Sequence, residues 1–532
     1  MFGGQPIFIL SEGTRRSRGE DAQKGNIAAA EAIAEAVRST LGPKGMDKML
    51  VDSTGDVVIT NDGVTILKEI DIEHPAAKML VEVAETQDEE CGDGTTSAVI
   101  LAGELLKNAE DMLGKLHPST IANGYRLAST RASEILEELK QEIDIDEEKI
   151  LLDIAETAMT GKSVEVNKEH LAKIAVDAVR HITEKKDGEY TANIENIKIE
   201  KKAGANVDQT ELIKGIILDK ERLHERMPKE VKDASIALLS TGIEVKKTEV
   251  KASIEITSPE QLQQFIDEEE SGIKKMINKI KETGATVVFT QKDIGDLAQH
   301  FLAKQGIFAI DSLSKKDLNK LSKATGANIV NDISGISKND LGTADIVHEK
   351  IVSGSHMTFI EGTKESKAVS LLLRGGTEHI VDEIERAIND GLKVVSLAIE
   401  DSAILPGGGA TDVEISNKLK DYAGTVKGRE QIAIQAFADS ITIIPKTIAR
   451  NAGLDAIDIL MNLNTAHEKE GLKNNGVDLE TGEIKEMIEL GVIEPFRVKN
   501  QAIKSAAEAA NMILRIDDIV ASKGFVEEME EE

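Results

Sequence analysis

The apolar positions of this chain recur with two different periods. From residue 26 to 41 the segment NIAAAEAIAEAVRSTL spaces them three and four apart, which predicts a helix. Gly42-Pro43 ends it with a C-cap glycine and a residue that cannot continue a helix. Segments 49–51 and 57–60 then read as two short strands around Ser53-Thr54-Gly55-Asp56, a hairpin. Asn61-Asp62-Gly63 turns the chain into 64–70, and helical spacing dominates as far as about residue 142, including 76–89 and 97–113. Between 215 and 362 the pattern changes: strand-like 236–239, 286–290 and 307–310 are interleaved with helix-like 293–304 and 315–324, the alternation of an α/β domain. Helical spacing holds at 377–389, with Ile380, Ile384, Ala387 and Ile388 on one face and Asp390 as a solvated residue at the C-terminal end. After 401 long Ala- and Ile-rich helices return at 412–422, 429–451 and 499–512, and 513–520 reads as a strand.

An α-rich beginning and end around an α/β middle fits one domain built from both termini with another inserted. A linear three-domain chain fits the same texture. The charged stretch 141–149, QEIDIDEEK, reads as a boundary, and the acidic end 527–532 as a disordered tail. At 532 residues the chain is too long for a single core.

Composition narrows the function classes. There are 64 Lys+Arg against 95 Asp+Glu, a formal net charge of -31, which argues against a nucleic-acid backbone or an anionic membrane surface as main partner. Aromatic residues make up only 2% and Trp is absent, so the cores should be aliphatic and helix-rich. Cys91 is the single cysteine, which excludes an intramolecular disulfide and a cysteine zinc cluster and fits a reducing cytoplasm. The apolar piece 6–10 precedes Arg15, Arg16 and Arg18, the reverse of a signal peptide, and no run of about 20 apolar residues predicts a membrane span. The ten histidines show no ligand spacing.

Several turns have the residue types of a phosphate and metal site. Gly92-Asp93-Gly94-Thr95-Thr96, followed by Ser97, lies between two helical segments: glycines admit an anion to bare backbone, threonines and a helix N-terminus favour phosphate, and Asp93 is free to hold Mg2+. An Asp-Gly turn joining two helices is the bland alternative. Leu41-Gly42-Pro43-Lys44-Gly45 offers backbone to a phosphate or simply stops a helix. Asn61-Asp62-Gly63 places a carboxylate where it serves a metal or water, or caps the next helix. Gly407-Gly408-Gly409 fits a nucleotide ribose or phosphate, or a hinge. Gly161-Lys162-Ser163 imitates the end of a Walker A loop, but Glu156 stands where the first glycine belongs and 150–159 is helical, so Lys162 is a surface lysine or a phosphate sensor of another architecture. Ser258, Pro259 and Gln261 at N-cap, N1 and N3 open a helix carrying Leu262, Phe265, Ile266, Ile273, Met276, Ile277 and Ile280, which packs on its own domain or projects as an amphipathic arm.

In order, LGPKGMDKML at 41–50, TNDGVTIL at 60–67, GDGTTS at 92–97, PGGGATDVE at 406–414, GREQIAIQAFADS at 428–440, NAGLDAIDIL at 451–460 and RVKNQAIKSA at 497–506 closely resemble the group II chaperonins over nearly the whole chain. The resemblance implies a multi-domain α and α/β fold. Its parts are an α-helical equatorial domain at 1–146 and 402–532, a small α/β intermediate domain at 147–214 and 366–401, and an α/β apical domain at 215–365 with a helical lid protrusion at about 245–280. It implies an ATP-dependent chaperone that encloses unfolded polypeptides within two stacked rings, usually of eight like or related subunits, in the cytoplasm, and no nucleic-acid or membrane partner. Carried onto this sequence, Leu41, Gly42 and Pro43 contact nucleotide phosphates, Gly92, Asp93, Gly94, Thr95, Thr96 and Ser97 form the main phosphate loop for ATP or ADP, and Asp93 holds Mg2+. Gly408 lines the pocket, Glu494 faces the ribose, Asp390 and Asp62 position and activate water, and Lys162 reaches the γ-phosphate. The strand at 513–520 is expected to pair with the hairpin of a neighbouring subunit, while the acidic end at 525–532 departs from the flexible Gly/Met-rich tail of many relatives. Two other classes remain: a non-hydrolysing ring or holdase, and a small-molecule kinase or synthetase, which needs an acceptor pocket the sequence does not offer.

Overall fold

A computed structural model describes residues 15–51, 55, 57–162, 164–244, 259–363, 368–469 and 472–521. By its internal contacts the chain divides into two units, one comprising Met1–Lys168 with Asn389–Glu532 and the other Glu169–Ile388. The unit built from both chain ends is predominantly helical; the other is α/β.

In the helical unit, Glu20–Arg38, Pro75–Cys91, Thr95–Glu110, Pro118–Leu139, Glu430–Ile441 and Phe496–Leu514 turn their apolar stripes onto one core of Ala, Ile, Leu and Val. Small residues let the helices approach: a Cβ added to Gly124 would lie 2.5 Å from that of Ala433. Aromatics are few; Tyr125 donates to the Leu105 carbonyl at 2.7 Å and meets Phe437 edge-on at 5.5 Å. The segment Glu430–Asn451 has the length and hydropathy of a membrane crossing, yet it is divided at Thr442 and 72% of its most apolar window is buried, so here it is a core element. The hairpin forms from Lys48–Val51 and Val57–Thr60, with Met49 opposite Ile59 and Val51 opposite Val57.

Two elements differ from their sequence reading. The final helix continues through Leu514, so the strand expected at 513–520 is shortened to Asp518–Ala521. Within the chain its partner is Arg15–Arg18, antiparallel, which ties the two ends of the chain together. The helix expected to stop at 389 runs from Glu378 to Asp401. Asp390-Gly391 is a turn signal locally, but Leu392, Val394, Val395 and Ala398 beyond it are buried, and that burial outweighs the roughly 1 kcal/mol that a helical glycine costs. Ile380, placed on the apolar face, is exposed, and Val381 is buried instead.

The α/β unit is organised by a seven-stranded sheet. Glu230–Leu239, Val287–Thr290 and Phe308–Ile310 run parallel, with Ile329–Val330 also parallel to the first; Gly342–Val352, Ser355–Glu361 and Gly215–Leu218 extend it antiparallel. The parallel strands are buried on both faces because alternate residues feed two cores. Ile236, Leu238, Val287 and Phe289 pack under the helix Lys315–Thr325; Ala237, Leu239 and Val288 pack under Asp296–Lys304 and the second half of Pro259–Glu282. In that last helix Ile273, Ile277 and Ile280 are buried while Phe265 and Ile266 are exposed, so only its C-terminal half belongs to the core. Ser258 and the rest of 245–258 lie outside the described residues. Val369–Gly375 pairs separately with Ile197–Ala203, parallel, and with Glu211–Ile213, antiparallel.

Candidate active site

A cavity of about 670 Å3 opens in the helical unit, and every side chain lining it belongs to that unit. Leu41, Gly42, Pro43, Asp62, Gly92, Asp93, Gly94, Thr95, Thr96, Ser97, Lys162, Asp390, Gly408 and Glu494 all border it. The sequence-derived candidates are therefore brought to one place from segments spread over most of the chain.

The glycines at 92 and 94 create its floor. Gly92 ends the helix Pro75–Cys91 in the left-handed conformation (φ 71°), and Gly94 precedes Thr95–Glu110 in the same region (φ 79°), a backbone that any other residue adopts only with strain. Asp93 sits between them. Its Oδ1 accepts the Gly94 N–H at 2.7 Å, and among the described residues Oδ2 has no protein donor. No side chain caps Thr95–Glu110, so the cavity meets a helix N-terminus whose first amides lack a side-chain acceptor.

Asp62 caps the next helix, one of the roles its sequence position allowed, and it also borders the cavity. Its Oδ2 caps the helix Gly63–Glu69, accepting Thr65 N–H at 3.0 Å and Thr65 Oγ1–H at 2.7 Å, while the residue faces the cavity. Beside it, Asn61 Nδ2 donates to the Gly161 carbonyl at 2.6 Å, which fixes the loop that carries Lys162. Lys162 Nζ donates to Asp390 Oδ2, and the two side chains are 18% and 14% exposed. Lys162 is therefore a partner of Asp390 rather than a surface lysine, and Asp390, in mid-helix, is not the solvated terminal residue its sequence context implied. Burial pushes the Asp390 carboxyl up, Lys162 opposes this, and Asp62 and Asp93 add to the rise, leaving it at about 7. Burial disfavours the Lys162 charge, but Asp390, Asp93 and Asp62 outweigh it and hold the ammonium above its ordinary range.

At another part of the wall, Glu494 stands on the strand Ile493–Pro495, paired with Ala403–Pro406. Lys499 Nζ lies 3.2 Å from Glu494 Oε1 and 3.1 Å from Asp412 Oδ2, nearly excluded from solvent. Burial raises the Glu494 carboxyl, Lys499 counters it, and Asp412 and Asp93 add to the rise, to about 7. The run Gly407–Gly409 is close-packed: added Cβ atoms would come within 3.0 Å of Val492, 2.5 Å of Met487 Sδ and 2.6 Å of Pro445. Contact packing, not hinge freedom, requires those glycines.

Three supporting residues escaped the sequence reading. Gln87, fully buried, donates to the Asp93 carbonyl at 2.8 Å and to that of Val498 at 3.1 Å, holding the loop from beneath. Asp412 and Lys499 are the others. Each is a polar residue on an apolar stripe: Gln87 follows Leu80, Val83 and Ala84, and Lys499 precedes Ala502, Ile503 and Ala506 at helical spacing. That mismatch was the available signal.

The pattern matches the TCP-1/cpn60 chaperonin family over residues 33–524. The chain belongs to that family. It is 57% identical to a thermosome subunit of Methanopyrus kandleri over 521 residues, covering 98% of this chain and 95% of that protein. It is also 57% identical to a thermosome subunit of Pyrococcus horikoshii, covering 99% and 96%, and to a thermosome subunit beta of Methanothermobacter thermautotrophicus, covering 100% and 98%. As a chaperonin it falls among proteins that bind nucleotide, hydrolyse ATP and assist protein folding.

Proposed function

We propose that this chaperonin binds ATP in the 670 Å3 cavity and hydrolyses it to drive the folding of non-native polypeptides inside a double ring of like or related subunits. The observation that carries this reading is the convergence of all the site residues named from sequence on one cavity wall. The triphosphate would lie on the uncapped start of Thr95–Glu110, where backbone amides and the helix dipole favour anions. Leu41 to Pro43 would border it, and Glu494 would accept from a ribose hydroxyl.

Asp62, Asp93 and Asp390 make this a poor site for a bare triphosphate, because two of these carboxylates already push up the third. A divalent cation fits the disagreement. Among the described residues no three acidic, His or Cys side chains form a ready metal cage. Mg2+, however, takes one or two carboxylates and completes its shell with water and phosphate oxygens. Asp93, with Oδ2 undonated, would hold it, and when bound it would neutralise charge on the phosphates. Asp390 would orient the attacking water and take its proton, with Asp62 as second acceptor; Lys162 keeps the Asp390 carboxylate in place and presents positive charge toward the γ-phosphate.

In the same reading, residues 1–146 with 402–532 form the equatorial domain, 147–214 with 366–401 the intermediate domain, and 215–365 the apical domain. The helix Pro259–Glu282 would then carry its exposed Phe265 and Ile266 on the lid, and closure would couple turnover to encapsulation in the cytoplasm. The purified protein should release phosphate from ATP, stop when the divalent cation is chelated, and raise the refolding yield of a denatured polypeptide only with ATP. Capture of that polypeptide with no ATP hydrolysis would overturn the proposal in favour of a holdase.

A further inference from the structure

We infer that Lys393 is a positioning residue for the reaction: it docks the helical turn bearing Asp390 onto the end of the helix that leads into the phosphate loop. Glycine at position 92 suits the left-handed backbone there and also leaves free the space that the Lys393 side chain occupies. The inference rests on the reading of Asp390 as the water-orienting group.

Lys393 follows Asp390 by three residues within Glu378–Asp401, so the two side chains leave the same face of the helix. Lys393 Nζ donates to the Asp88 carbonyl at 2.6 Å and lies 3.2 Å from Asp88 Oδ1. The same carbonyl accepts the Gly92 N–H at 2.8 Å. It belongs to the last turn of Pro75–Cys91, where a cation meets the negative end of the helix dipole. The aliphatic stem is as informative as the ammonium. A Cβ on Gly92 would lie 2.2 Å from Lys393 Cδ and 2.6 Å from its Cβ, distances that no side chain tolerates. The next residue is Asp93.

One turn of helix is thus held at two points, by Asp390 to Lys162 and by Lys393 to the segment immediately before Asp93. The first contact orients the carboxylate. The second sets how far the helix stands from the loop that would carry nucleotide. If Lys393 were only a partly exposed ion pair, its loss would leave turnover unchanged. If it sets the position of Asp390, a displacement of about 1 Å lowers turnover on the order of 10²-fold while nucleotide binding, which uses the loop and the helix start, is kept.

The test uses full-length assembled protein, with steady-state phosphate release and equilibrium ATP binding measured on each variant. Lys393→Met should lower kcat on the order of 10²-fold with Kd for ATP within about threefold of wild type, and Lys393→Arg should recover most of the loss. Gly92→Ala, which must displace the lysine stem as well as take up a left-handed φ, should lower kcat, and because the stem is absent from Lys393→Ala the loss in the double variant should be smaller than the product of the single losses. Wild-type turnover in Lys393→Met, or a double variant whose loss is the product of the single losses, would overturn the inference. Absence of ATP hydrolysis by the wild type, or full turnover by Asp390→Asn, would instead overturn the reading beneath it.

Discussion

Replacing Asp390 by Asn removes one charge and almost no volume. Lys162 keeps a hydrogen-bond acceptor in Asn Oδ1 and still feels Asp93 and Asp62, so the ammonium is not stranded. Breaking a fully buried pair costs about 3–5 kcal/mol. With an acceptor retained and 14–18% side-chain exposure, the stability loss should be nearer about 1–2 kcal/mol. Catalysis should suffer far more. A positioned general base contributes about 10²- to 10⁴-fold, so kcat should fall by that factor, about 3–5 kcal/mol in barrier. Removing a negative charge that faces an anionic ligand cannot weaken its binding electrostatically, so ATP affinity should hold or increase. Phosphate release at saturating ATP, with calorimetric ATP binding on the same preparation, separates the two effects. The wild-type kcat/KM should also fall as pH drops through about 7, where the Asp390 carboxyl takes up its proton and ceases to be a base, and this limb should vanish in the variant. A kcat within about threefold of wild type, or a loss carried wholly by KM, would refute the assignment.

Gly94→Ala forces a side chain into a left-handed φ and to within 3.0 Å of Gln87 Nε2 and Val498 Cγ1; strain of about 1–2 kcal/mol in the loop should weaken ATP binding roughly tenfold, measurable by calorimetry. Lys499→Met leaves Asp412 and Glu494 buried without their shared cation and should cost about 3–5 kcal/mol, seen as a lowered denaturation midpoint, with Lys499→Arg retaining more than half of that. The Cys91 thiol, fully buried and pushed up to about 12 by that burial, should resist a thiol reagent in the native protein and react fully in denaturant; stoichiometric native labelling would contradict the packing.

The loops were legible in the sequence because glycine, Asp-Gly and Pro-Gly signals are local: Leu41 to Pro43, Asp62, Gly92 to Ser97 and Gly408 need only their own neighbours to be recognised as turns at helix ends. The α/β character of 215–362 was legible because strand-like runs such as 236–239 interleave with helical segments, whereas the order and register of the strands, set by contacts distant in sequence, were not. What a local reading could not supply was which charges meet. Asp390 and Lys162 are 228 residues apart, and Asp412 and Lys499 are 87 apart. A lone Asp390 beside a glycine therefore looked solvated, and a lone Lys162 looked like surface. A buried charge is tolerable only with a partner, so any charged residue inside an apolar stripe announces that a partner exists without naming it. Lys499 and Asp412 carry that announcement. Lys393 does not, for it sits off the stripe, and only its contacts in the fold, with Asp88 and beside Gly92, reveal its place. The glycine that the sequence marked as part of a phosphate loop also makes room for Lys393, far away along the chain, a contact that the fold and not the local motif decides.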